Sequence, residues 1–178
     1  MSSLSGTYTP TQTGLHTLEI LNDRPNDPQQ PRLENDIDDI SLVPQTIDFS
    51  SDVIQFSAAM DNQATFTLDA GPAHAGENYL ILLSTSGNYP GITNNGNWLP
   101  LNMDSILMFS LQNANSAILV NTRAQLDTSG KASAALKTLN ALPAWAGRTI
   151  NVAYILYPGS VPVPITYGSM PVSILFIP

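Results

Sequence analysis

Short β-favouring runs broken by turn residues set the limits on what this chain can fold into. Apolar, β-branched and aromatic residues gather in stretches of strand length, and glycine, proline, asparagine or serine ends almost every one. Such runs fall at residues 15–21, 37–43, 53–57, 64–69, 77–84, 106–112, 117–126, 131–139, 149–157 and 172–177. Residues 64–69 alternate, Phe66 and Leu68 against Thr65 and Thr67, so one face is expected to be buried and the other wet. Residues 77–84 are apolar on both faces and predict a central strand. In 117–126, Ile118, Val120, Thr122, Ala124 and Leu126 share one face of a single expected strand. Asp127-Thr128-Ser129-Gly130 follows as a turn, with Gly130 free to take positive φ.

Helix signals are weak. Residues 103–110 predict at most a helical turn, capped by Asn102 with Asp104 in the first turn, in competition with the strand at 106–112. Residues 142–147 predict a second turn, opened by Pro143 and closed by Gly147. The expected fold is therefore all-β: an antiparallel β-sandwich, jelly-roll-like, with one or two short helical turns.

Charge divides the chain. Residues 1–52 hold nine acids against Arg24 and Arg32, whereas residues 53–178 hold five acids and four bases. Two units are expected: an acidic strand-rich segment at 1–44, as the end of or an addition to a β-sandwich, and a β-sandwich module at 45–178. The net charge of −8 excludes phosphate neutralisation as a binding mode, and so nucleic acid. No run reaches the ~18 apolar residues of a membrane-spanning helix, so membrane insertion is not expected. With no cysteine, disulfides, thiolate zinc sites and cysteine nucleophiles are excluded. Few charges, and a surface of hydroxyls and amides, suit an extracellular or cell-surface module. The first residues lack the basic and apolar regions of a secretory signal, which leaves a removed signal or an origin within a longer protein.

Residues 86–100 form a long polar loop carrying Tyr89 and Trp98. Loops of this length are often functional. Two readings stand side by side. The aromatics stack on a sugar, or they pack back onto the sandwich and pin the loop.

Three segments occur in order: Leu68-Asp69-Ala70-Gly71-Pro72-Ala73-His74-Ala75-Gly76-Glu77-Asn78-Tyr79, then Trp98-Leu99-Pro100-Leu101-Asn102, then Leu126-Asp127-Thr128-Ser129-Gly130-Lys131-Ala132. A strand, Met170-Pro171-Val172-Ser173-Ile174-Leu175, closes the chain. This set resembles a C-terminal β-sandwich module of large secreted proteins from planctomycetes and related bacteria, over residues ~60–178. The resemblance implies a sandwich fold, an exterior location and a role as an appendage. Its motifs are those of turns and packing.

In the acidic segment, residues 6–20 followed by Asp36-Ile37-Asp38-Asp39-Ile40-Ser41-Leu42 are similar to the closing strands of galactose-binding-like carbohydrate modules. That resemblance implies a structural calcium at Asp38. Asp36 lies on the same side of the strand, and Asp23 lies in the preceding loop. A solvated acidic loop is the alternative. An incomplete sandwich leaves open edges, so a protein partner, the parent polypeptide or an oligomer is expected to complete it.

No Gly-x-Ser-x-Gly elbow, metalloprotease motif or phosphate loop occurs, and His16 and His74 fall in different units. The chain is not expected to be an enzyme. The leading expectation is a non-catalytic extracellular accessory module for adhesion, anchoring or assembly. A carbohydrate-binding module using Tyr89, Trp98 and calcium is the second, and a virion or filament structural protein the third.

Overall fold

The computed structural model describes residues 48–159 and 161–178. The acidic segment, with the strands expected at 15–21 and 37–43, and the junction before residue 48 lie outside the described residues. Twelve strands and one α-helix follow in chain order. The strands are β1 (Phe49–Ser51), β2 (Gln55–Ser57), β3 (Asn62–Asp69), β4 (Asn78–Ser84), β5 (Ile92–Asn94) and β6 (Asn97–Leu99). After the helix α1 (Ser105–Gln112) come β7 (Leu119–Val120), β8 (Arg123–Gln125), β9 (Lys131–Thr138), β10 (Thr149–Tyr157), β11 (Tyr167–Gly168) and β12 (Val172–Ile177). Single 3-10 turns occupy Pro72–His74 and Pro143–Trp145.

The fold is all-β and sandwich-like, as expected. One sheet has the order β1-β3-β9-β7; the other has β2-β12-β10-β4-β8, with β11 paired to β10. Every strand pair is antiparallel except β2 with β12, which run parallel. The expected alternation of β3 is realised: Ala64, Phe66 and Leu68 are fully buried while Gln63 and Thr67 face solvent.

The continuous apolar runs of β4 and β10 have a specific cause. Their register sets Val152 opposite Leu83, Tyr154 opposite Ile81 and Leu156 opposite Tyr79. These side chains enter the core between the two sheets, with Phe49, Phe66, Leu136, Phe56 and Phe176. The intervening residues, Leu80, Leu82, Ala153, Ile155 and Tyr157, point the other way into a second core. That core is closed by Leu99 and Leu101, by Leu107 of α1 and by Ile165. Both faces of the central strands are therefore dry, which strands with period-two alternation could not satisfy. Each buried leucine of this second core contributes about 1.5–3 kcal/mol.

The structure corrects the expectations in three places. The strand expected at 106–112 is α1, two helical turns long, and its N-cap is Asp104, whose Oδ1 accepts from Leu107 N–H at 2.7 Å. Asn102 is not the cap. The single strand expected at 117–126 is broken: β7 joins one sheet and β8 the other. Between them Asn121 takes a φ of 52°, a conformation asparagine tolerates better than most residues, and Thr122 is buried. The long loop at 86–100 contains the hairpin β5–β6, turned at Asn95-Gly96, both with positive φ as a two-residue hairpin turn requires.

Two of the sequence motifs meet in one knot. Ala70 N–H donates to Gly130 O at 3.0 Å, and Lys131 Nζ pairs with Asp69 at 2.7 Å. Gly130 has a φ of 76°, and a side chain there would strike the carbonyl of Gly71. Asp127 Oδ1 accepts from Ser129 N–H and Lys131 N–H, which closes the turn.

Candidate functional site

The layer over the second core has an unusual electrostatic character. Between Glu77 and Arg123 the only charged residue is Asp104. Its carboxylate is turned inward to backbone and hydroxyl donors. Oδ2 accepts from Thr85 N–H (2.7 Å), Ser86 N–H (3.0 Å), Ser84 Oγ (3.1 Å) and Thr85 Oγ1 (3.1 Å), while Oδ1 caps α1. Partial burial pushes its pKa up, but these hydrogen bonds outweigh that and hold it down at about 2. The exposed charges of the described residues lie elsewhere, on β3 and β9 and at turns: Asp69, Lys131, Asp127 and Arg148 among them.

Asn102 organises the loop between β4 and β5. Its Nδ2 donates to Ser86 O and to Tyr89 O, each at 2.8 Å, and its Oδ1 accepts from Gly91 N–H at 2.9 Å. Its own N–H donates to Gly87 O at 3.0 Å. One amide thus closes the loop at four points, in the place of backbone pairing the loop does not have.

The loop carries the two aromatics singled out from the sequence. Tyr89 is 82% exposed, so it does not pack back onto the sandwich. Trp98, on β6, is 43% exposed, and its indole N–H donates to Pro90 O at 2.8 Å. It pins the loop with one edge and leaves part of its ring in solvent. The approach is close: a side chain at Gly91 would meet the Trp98 indole and the carbonyl of Leu99. Alternation along β6 explains the split, since Leu99 enters the second core and Trp98 points away from it. Met103, next to Asn102, is 62% exposed.

This arrangement presents aromatic rings on a held loop, in a neutral surround rich in amides and hydroxyls. Ring faces take up apolar C–H surface, and amides bond hydroxyls. Sequence reasoning found both aromatics. It missed Asn102 and Asp104 as the residues that hold them, and it missed the gap in charge between Glu77 and Arg123, which was legible by inspection.

A second polar region lies at the far end of β4 and β10. One groove of about 320 Å³ is lined by Asn78, Asn115, Arg123, Gln125 and Tyr157. There Arg123 Nε donates to Tyr157 OH at 3.0 Å, and its guanidinium lies 5.9 Å from the centre of that ring. An adjoining groove of about 350 Å³ adds His74, Glu77 and Thr166. Its amides serve the backbone: Asn115 Nδ2 donates to Arg123 O, and Asn78 Nδ2 to Gly159 O.

A buried carboxylate, Asp48, accepts from the phenol of Tyr167 and more weakly from Tyr154 at 3.5 Å. Burial first, and the Asp48 charge second, push the Tyr154 phenol well above its usual range. Burial and the hydrogen bond to Asp48 do the same to Tyr167. His74 stacks 5.6 Å from the Tyr167 ring, and its Nδ1 lies 3.1 Å from Glu77 Oε1. These contacts anchor the start of β1 against β10 and β11.

The calcium ligands expected at Asp23, Asp36 and Asp38 lie outside the described residues. Among the described residues no group of three or more His, Cys, Asp or Glu is placed to hold a metal ion, and no helix is long and apolar enough to cross a membrane. No protein-family model and no curated protein matches the chain.

Proposed function

We propose that this protein is a non-catalytic accessory module of the cell exterior that adheres through the face carrying Tyr89 and Trp98, and that its ligand there is a neutral glycan. The observation that carries the reading is the pairing of an 82%-exposed tyrosine with a loop closed at four points by Asn102. Holding an aromatic open to solvent on a fixed backbone removes ordering cost from binding. The absence of charge between Glu77 and Arg123, apart from the inward-turned Asp104, favours an uncharged ligand.

The acids of the described residues support a non-catalytic role, because they are engaged in holding the fold. Asp52 accepts from Thr65 N–H, Asp69 pairs with Lys131, Asp104 caps α1, and Asp127 closes a turn.

The test is retention on neutral polysaccharides and on a glycan array, for the wild type, Tyr89→Ala and Trp98→Ala. Binding lost in either variant, with melting unchanged in Tyr89→Ala, supports the reading. Unchanged binding in both removes it. In the same proposal, a structural calcium at Asp36, Asp38 and Asp23 steadies the acidic segment. A melting temperature indifferent to chelator would remove that part alone.

A further inference from the structure

The far side of α1 is built like a second interface. Leu107 and Ser110 are buried toward β4, and Ser110 Oγ accepts from Leu83 N–H at 3.1 Å. The opposite stripe, Ser105, Met108, Phe109 and Gln112, follows the i, i+3, i+4, i+7 spacing of one helix face. Met108 and Phe109 are each 39% exposed at its centre, and Met103 extends it past the N-cap. A surface helix normally turns charge to solvent on this side. This one turns out methionine, phenylalanine and uncharged polar residues, the composition of an interface core.

We propose that this stripe is a self-association surface, on which a second copy of the chain packs α1 against α1 about a twofold axis. The argument for a second copy is charge. A surface that meets itself across a twofold must be complementary to itself. A stripe with no ionisable group satisfies that condition, and a charged one cannot satisfy it without a patterned arrangement of both signs. Two chains of net charge −8 repel over most approaches, and this neutral layer is where the repulsion is least. The eight-residue helix offers little area beside the ~800 Å² per partner of a stable interface, so the dimer is weak and forms with rising concentration.

The test is sedimentation of the full chain over a concentration series. The mass is expected to rise from 19.1 kDa toward twice that value. The double variant Met108→Glu/Phe109→Glu places like charges face to face and is expected to weaken association by about 100-fold or more. The counterpart Met108→Lys/Phe109→Lys is expected to stay monomeric alone and to pair when mixed with the glutamate variant. Recovery of pairing in the mixture separates a direct contact from misfolding, as does an unchanged melting temperature. A wild type that stays monomeric at its highest soluble concentration overturns the proposal. So does a glutamate variant that associates as the wild type does. Loss of glycan retention in that variant with no change in mass would also overturn it, and would assign the stripe to the ligand face.

Discussion

Asn102→Ala removes the clamp on the loop while leaving every backbone atom in place. Three side-chain hydrogen bonds disappear, those to Ser86 O, Tyr89 O and Gly91 N–H, at 2.8, 2.8 and 2.9 Å. The bond from Asn102 N–H to Gly87 O survives, because it is made by the backbone. Each lost bond is worth about 0.5–1.5 kcal/mol net, and the freed groups lie near solvent and can rehydrate, which favours the lower end. The expected loss is therefore about 2 kcal/mol. For a chain of this size that is a fall in Tm of about 4–8 °C. The effect on ligand binding should be larger than the effect on folding, since Tyr89 is freed from its fixed position. Asn102→Asp is the sharper control: it retains the acceptor for Gly91, but sets a carboxylate against two carbonyls. It should do at least as much damage as alanine. Calorimetry and polysaccharide retention, measured on the same samples, provide both numbers. Wild-type melting and wild-type retention in Asn102→Ala would refute the idea that this amide holds the site.

Leu82→Ala deletes a buried side chain of the second core, and should cost about 2–5 kcal/mol by denaturant unfolding. A cost below 1 kcal/mol would mean that the layer over β4 does not pack as described. Tyr167→Phe leaves the buried Asp48 carboxylate with only the longer contact to Tyr154, and should cost about 1–3 kcal/mol. Asp104, held at about 2 in the folded protein against about 3.9 for an ordinary aspartate, contributes stability that is present above pH 4 and is lost as pH falls toward 2. Asp127 is lowered too, by backbone donors from Lys131 and Ser129, so the informative quantity is the difference between wild type and Asp104→Asn across that window. The gap in Tm should narrow with acid; a constant gap would rule out the carboxylate as its source.

The sequence made the framework legible where one physical signal acted alone. Alternation in β3 and two-sided apolarity in 149–157 named their strands because burial on one or two faces leaves no other pattern. The residues of α1 were ambiguous because Ile106, Leu107, Met108 and Phe109 are as apolar as a buried strand, and a run that short does not separate the two periods. The break between β7 and β8 was hidden because Asn121 and Thr122 continue the alternation of side chains while the backbone turns. The hairpin β5–β6 had an audible signal, Asn95-Gly96, drowned by the polar residues around it. At the candidate site, Tyr89 and Trp98 stand out by residue type alone. Asn102 does not, because its role depends on carbonyls of Ser86 and Tyr89 that only the fold brings within reach.

The face over the second core can be tested directly by mapping backbone amide chemical shifts while a neutral oligosaccharide is added to the full chain. Shifts concentrated at residues 86–103, around Tyr89, Trp98 and Asn102, are the expected result. Shifts confined to the opposite sheet, at Thr65 and Thr67 of β3, or no shifts with any neutral oligosaccharide that the wild type retains, would contradict it.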